Sequence, residues 1–477
     1  MRLVVKESSL HRIELSTRMP FKYGIATMTD LPHVILRVAV DTGSSTTEGW
    51  SGDCLPPKWF TKEPEKDPLE EVQEMIEVIV HAMNIGVGLR AGSVFDLWWQ
   101  LYEGQMEWGE ETGLPPLLTH FGVSLVERAV IDAVCRAEGS PFHRLLKQNA
   151  FRIDLGKLFP ELAGSQPSDF LPNDPLSGIA CRHTVGLADP IVDEDVDASE
   201  RLDDGLPQSL AASVRRYGLR ELKIKISGDI ERDAERLNKI LVMAAAEMPG
   251  DYRFSLDGNE QFLAASDFAA AWSSYLDLVR NSSFWRRLVF IEQPVHREHT
   301  FEAPMPEILD GAGRAVPVII DESDGRVGSL TEALALGYAG VSHKNCKGIC
   351  KGAANRCLVT SRAQLSTGVR TLMTGEDLGS IGPVSMVQDL AVQAAFGISS
   401  VERNGHHYFA GLSQLPHALQ QQALVHLPAM YHRSEEGWPA LAIHEGMIDV
   451  SDVNAAPFGV PFNPDLSDGY HQIAGVG

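Results

Sequence analysis

Leu222-Lys223-Ile224-Lys225-Ile226 sets two lysines two residues apart inside an apolar run. In a strand, side chains alternate between faces, so both lysines point one way and Leu222, Ile224 and Ile226 the other. Four further apolar runs end in charge. They are Phe254-Ser255-Leu256-Asp257-Gly258-Asn259, Val289-Phe290-Ile291-Glu292-Gln293-Pro294, Val318-Ile319-Ile320-Asp321-Glu322-Ser323 and Val341-Ser342-His343-Lys344. The order is base, acid, acid, acid, base, at spacings of 257−225 = 32, 292−257 = 35, 321−292 = 29 and 344−321 = 23. A strand with its crossover helix takes roughly 30 residues. Ionisable groups at the C-terminal ends of successive parallel strands mark the catalytic face of a barrel.

The alternation extends on both sides of these five. Ile179 to Gly186 reads as a first strand, and runs ending at Asp377 and at Glu402-Arg403 as the last two, with helical segments between. The count reaches about eight strands. The predicted class is α/β: a modified TIM (β/α)8 barrel over 179–415 with an α+β capping domain over 1–140. Residues 141–178 read as a linker or insertion, and 416–477 as a C-terminal segment that packs back on the cap. In the cap, Val34 to Val40 reads as a strand, and Asp67 to Met83 and Phe121 to Glu138 as helices. Segments 151–176 and 191–208 read as insertions; the second is acidic but lacks the spacing of a calcium loop.

The chain has 477 residues and a formal charge of −23. That balance argues against nucleic acid and anionic membranes as partners. No apolar run has the length of a membrane span, and the N-terminus lacks a signal-peptide pattern, so the expected location is cytoplasmic. Cys346, Cys350 and Cys357 are clustered but not in a zinc-type spacing. They read as buried thiols. Trp98 and Trp99 read as helix packing.

A proton α to a carboxylate is removed only if the developing enediolate is stabilised. A divalent cation on the carboxylate does this, and lysine ammoniums add fixed positive charge. Asp257, Glu292 and Asp321 supply three oxygen ligands from adjacent strand ends, a donor set suited to Mg²⁺, with Mn²⁺ as an alternative. Lys223 and Lys225 should depress each other's pKa, leaving a neutral lysine as base. Lys344 faces them across the barrel and can act on the other side of the same carbon. Asn259, Gln293 and Glu322 read as groups orienting the ligands. Lys347 reads as a supporting cation. His406 and His407 read as candidates for substrate specificity, and His183 as an open case.

In these motifs the chain resembles the enolase superfamily, in its mandelate racemase/muconate lactonizing enzyme branch. The Lys223/Lys225 pair, Asp257 with Asn259, Glu292-Gln293-Pro294, Asp321-Glu322-Ser323 and the Lys344/Lys347 pair are similar to that family's strand-end motifs. Pro20 to Gly24 and Gly49 to Gly52 look like its mobile capping loops, and Gly446 to Gly459 like its tail returning to the cap. The resemblance implies Mg²⁺ on Asp257, Glu292 and Asp321, with Lys225 and Lys344 as opposed bases and Lys223 assisting. The implied activity is α-proton abstraction from a small-molecule carboxylate with a racemase, epimerase or cycloisomerase outcome, and homo-oligomerisation is left open. β-Elimination, as in o-succinylbenzoate synthase or acid-sugar dehydratases, is the alternative outcome, and a catalytically inactive binding homologue the alternative class. A metal-dependent hydrolase would need a second metal or histidine ligands, and the key strand ends carry none. The sequence departs from the family where Lys347 is followed by Gly348-Ile349-Cys350-Lys351, and where the eighth strand ends in Arg403-Asn404-Gly405-His406-His407. Substrate identity rests on such regions.

Overall fold

The computed structural model describes residues 2–279, 284–309, 313–365 and 370–477. The charged apolar runs are strands: Glu221–Lys225, Arg253–Asp257, Leu288–Glu292, Val318–Ile320 and Gly340–His343. Gly178–Val185 precedes them, and Leu372–Gly375 and Ser400–Arg403 follow. All eight are parallel, and the last pairs with the first to close a barrel. Register aligns the charges. Lys225 lies opposite Asp257, and Asp257 opposite Glu292.

Helices Leu210–Tyr217, Ile230–Glu247, Ala265–Leu278, Ser329–Ala335, Ile349–Leu365 and Ser385–Phe396 lie along the barrel connections. Their ends obey local chemistry. Ser209 accepts from the Ala212 amide, Asp229 from that of Arg232, and Gly218 ends its helix in the left-handed region. Among the described residues, no helix joins the fourth strand to the fifth.

The cap is an antiparallel sheet in the order His471–Val476, Leu3–Ile13, His33–Asp41, Thr46–Cys54. Helices Pro68–Gly86, Val94–Thr112 and Pro116–Glu138 accompany it. A hairpin of Ser16–Tyr23 and Ala26–Asp30 stands apart from the sheet. Helix Pro116–Glu138 starts five residues before the start read at Phe121, on a proline that suits a first turn. It is buried from Leu117 to Cys135, polar residues included. Its buried charged side chains are paired inward. Arg128 meets Asp53 at 2.9 Å, Asp132 accepts the Trp50 amide, and Glu127 accepts the Ile349 and Cys350 amides at a barrel helix start.

Two expectations need correction here. Gly49 to Gly52 is not a capping loop but the middle of strand Thr46–Cys54. A Cβ on Gly49 would collide with the Ala129 carbonyl, so glycine lets helix and strand approach. Within the Gly446–Gly459 tail, Met447–Asp449 pairs antiparallel with the first barrel strand; the strand that returns to the cap is His471–Val476. All six cysteines are buried thiols. No described helix is long and apolar enough to cross a membrane.

Candidate active site

The C-terminal ends of the strands converge on a buried cluster of charge. Lys223 Nζ lies 2.6 Å from Glu376, 2.9 Å from Glu402, 2.9 Å from Asp257 and 3.1 Å from Glu292. Lys225 Nζ donates to Asp257 Oδ2 at 2.6 Å. On the far side, Lys344 Nζ bridges Asp321 Oδ2 at 2.7 Å and Glu376 Oε2 at 2.5 Å. Lys347 fixes the other Asp321 oxygen at 2.6 Å while donating to the Asp321 and Ser342 carbonyls. The second and sixth strands stand half the ring apart, so Lys225 and Lys344 face each other across it.

The supporting residues act through the backbone turns beyond the strands. Gln293, fully buried, accepts from the Asp321 amide at 2.7 Å and donates to the Val295 carbonyl and Ser323 hydroxyl. Asn259 donates to Glu322 at 3.1 Å. Burial, then the neighbouring Asp321 charge, pushes Glu322 up to about 7.

Burial and mutual repulsion shape the carboxylates. Burial and the Glu376 charge raise the Glu292 pKa well above the usual carboxylate range. Burial acts the same way on Asp257, but Lys223 and Lys225 overcome it and bring the group to about 2. The lysine pKa values are set by more than mutual repulsion. Burial works to lower the ammonium pKa values and Lys223 depresses Lys225, yet the surrounding carboxylates win and hold Lys223, Lys225 and Lys344 above the ordinary value.

The residues fit a divalent cation. Glu292, Asp321 and Glu376 each offer an oxygen within 4.8 Å of the others, and Glu292 Oε2 accepts no hydrogen bond. All three side chains are buried acids, the hard donors such an ion takes. Asp257 is not part of this trio; its Oδ2 pairs with Lys223 at 2.9 Å and Lys225 at 2.6 Å.

Two acids here were not singled out from sequence, Glu376 and Glu402. Both obey the same rule as the others, an ionisable group at a strand end, but on the seventh and eighth strands. Glu402 also accepts from Thr184 at 2.7 Å. The candidate histidines, by contrast, are not brought to this cavity. His406 Nε2 lies 3.0 Å from His183 Nδ1, and the His407 ring packs edge-on against His183. Burial drives His183 down to about 3 and His406 and His407 well below their usual value, so the group is uncharged.

Over the charges lies a cavity of about 50 Å³, roofed by Phe21, Tyr23 and Met28 of the hairpin and by Trp59. The Pro20–Gly24 segment thus does reach the site, and Trp59 takes the place expected of Gly49 to Gly52. Lys344 Nζ sits 5.1 Å from the Trp59 ring centre. The loop carrying Trp59 is latched to the barrel. Arg297 pairs with Glu260 and donates to the Trp59 and Phe60 carbonyls, and Lys62 donates to the Asn259 carbonyl.

No protein-family model and no curated protein matches the sequence. Solved structures do match over nearly the whole length. A mandelate racemase/muconate lactonizing protein from Herpetosiphon aurantiacus is 14% identical, covering 95% of this chain and 97% of its own, with a TM-score of 0.60. A dipeptide epimerase from Cytophaga hutchinsonii, complexed with Mg and the dipeptide D-Ala-L-Val, is 13% identical, covering 98% and 99%, with a TM-score of 0.60. An enolase from Bradyrhizobium, complexed with magnesium and mandelic acid, is 13% identical, covering 98% and 97%, with a TM-score of 0.58. At these identities the likeness speaks to architecture, and the chain has the fold of the enolase superfamily, a capping domain set over a (β/α)8 barrel.

Proposed function

We propose that this chain is a Mg²⁺-dependent enzyme of that superfamily which abstracts the proton α to a carboxylate and returns it, giving racemisation or epimerisation. The observation that carries the reading is the ring itself. Buried carboxylates from adjacent strands converge between two lysine positions on opposite sides of one cavity. The neighbours with bound magnesium and carboxylates are consistent with it.

Asp257, Glu292 and Asp321, on three adjacent strands, would hold the cation. When bound, it supplies Lewis-acid stabilisation of the negative charge that develops on the substrate carboxylate. Asp257 Oδ2 and Asp321 Oδ2 now bind the Lys225 and Lys344 ammoniums. If those oxygens served a cation, each lysine would lose the largest of the charges that raise its pKa, Asp257 for Lys225 and Asp321 for Lys344, and a neutral amine would become more accessible. Lys225 Nζ takes the α-proton on one face and Lys344 Nζ delivers one on the other. Lys223 keeps its proton and adds fixed positive charge. Phe21, Tyr23, Met28 and Trp59 exclude water. A cavity of about 50 Å³ is small beside the roughly 300–1,000 Å³ of ligand sites, so the roof must lift for entry.

The test is α-proton exchange in deuterated water with Mg²⁺, followed by NMR across mandelate, N-acyl amino acids and dipeptides. Exchange should depend on Mg²⁺, and Lys225→Ala and Lys344→Ala should each abolish it for one enantiomer. Loss of a β-group in place of exchange would assign β-elimination instead. In calorimetry, Glu292→Gln and Asp321→Asn should weaken Mg²⁺ by about a hundredfold. Asp257→Asn should weaken it more than Glu376→Gln does; the reverse would make Glu376 the third ligand. Normal Mg²⁺ binding by all four variants, or no exchange with any carboxylate, sinks the proposal.

A further inference from the structure

Behind the wall of the catalytic cavity lies a larger one of about 260 Å³. The two share a partition. Leu378 and Gly379 line the catalytic cavity, while Ser380, Ile381 and Gly382 line the other; Asn404 and Gly405 divide in the same way. Arg403 secures the partition by pairing with Asp377 and donating to the Ser380 carbonyl at 2.9 Å.

The outer cavity has an apolar floor that includes Ile381, Met386, Leu412 and Ile443. Its polar lining is one-sided. Arg216, Tyr431, His432 and His444 contribute, and no aspartate or glutamate lines it. In a chain with 64 acidic residues and a charge of −23, a concavity lined by a cation and no acid is a local departure from the overall composition. Arg216 is exposed and, among the described residues, makes no hydrogen bond or ion pair. Its charge is felt at Tyr217 and His432, which places it at the cavity's edge.

Three buried polar atoms of the lining lack hydrogen-bond partners: the Tyr431 and Ser434 hydroxyls and His406 Nδ1. Tyr431 is 3% exposed and its hydroxyl is unbonded. That hydroxyl lies over Gly382, where any Cβ would collide with it. His406 Nδ1 is also buried and unbonded, its other nitrogen being taken by His183. An unpaired buried polar group costs about 1–3 kcal/mol, and a ligand acceptor would relieve the Tyr431 hydroxyl.

We propose that this cavity is a second binding site, for a small monocarboxylate with an apolar body. The carboxylate is held at Arg216, with the Tyr431 hydroxyl as a donor, and the body rests on the apolar floor.

The experiment is calorimetric titration of the full chain with benzoate, with benzyl alcohol as the uncharged comparison and no substrate turnover in the readout. Arg216 is exposed and the Tyr431 hydroxyl unbonded, so Arg216→Gln and Tyr431→Phe should both fold. Arg216→Gln is expected to weaken benzoate by about tenfold, a loss of about 1.4 kcal/mol. Tyr431→Phe should weaken it by a smaller factor, and benzyl alcohol should bind at least about tenfold more weakly than benzoate. Lys344→Ala, which alters only the catalytic cavity, should leave benzoate binding unchanged. No benzoate binding at about 10 mM, or binding that survives Arg216→Gln and disappears with Lys344→Ala, overturns the proposal. Neither result depends on whether the catalytic cavity exchanges α-protons.

Discussion

At the scale of single residues, the site is governed by what orients each charge. Asp321 is held at every polar atom. Lys344 and Lys347 take its two carboxylate oxygens, Lys347 its carbonyl and Gln293 its amide. Gln293 is the informative one to remove, because it carries no charge of its own. Gln293→Leu is expected to weaken Mg²⁺ about ten- to a hundredfold and to lower stability by about 1–3 kcal/mol. Parallel calorimetry and denaturant unfolding check it. If stability falls while Mg²⁺ affinity stays normal, Gln293 builds the turn and does not position Asp321. Gln293 was singled out because it directly follows a strand-end acid, and Asn259 because it lies two residues beyond one; the Asn259 side chain meets Glu322. His406 and His407 were misread as substrate-facing, since nothing in their sequence reveals that His183 waits to pack against them.

Among elements, the decisive contact is the latch of the Trp59 loop on the barrel. Glu260 accepts from the Arg297 backbone and from Nε and Nη2 of its guanidinium. Burial would raise the Glu260 pKa, but Arg297 and Lys62 bring it from the ordinary 4.5 to about 2. A depressed folded pKa means stability present above the unfolded value and lost as pH falls toward the folded one. The wild type should therefore lose stability relative to Glu260→Gln as pH falls from about 4.5 to about 2. At neutral pH that variant should be destabilised by about 3 kcal/mol, since it leaves the buried Arg297 without its counter-charge. Thermal melts of both proteins across this range decide it; a constant difference at all pH values would refute the linkage. The strands themselves were legible as short apolar runs ending in charge, repeated at about the length of a strand–helix unit. The buried helix Pro116–Glu138 was read short, because a helix enclosed on all sides by cap and barrel has no polar face to mark its ends.

Over the whole molecule, three distant parts of the chain meet at one buried imidazole. His33 of the cap sheet lies 2.9 Å from the Tyr470 hydroxyl and 3.2 Å from the Ser385 hydroxyl, joining the cap, the C-terminal segment and a barrel helix. Burial, with the Arg128 charge, takes His33 down to about 3, so it is neutral with one donor and one acceptor. Tyr470→Phe leaves one buried nitrogen unpaired and should cost about 1–3 kcal/mol, read as a lower denaturant midpoint at unchanged slope. An unchanged midpoint would mean that the contact contributes nothing to the junction. The sequence by itself determined the eight-stranded barrel and the base–acid–acid–acid–base ring, because strand alternation and the length of a strand–helix unit are local properties that place charge at strand ends without knowledge of the rest. Only the tertiary structure decided that Glu376 and Glu402 complete the ring, that the carboxylates outweigh burial and hold the lysines protonated, and that the three histidines gather beside a second cavity. Those outcomes depend on closing the barrel, which brings together strand ends more than a hundred residues apart and removes them from water.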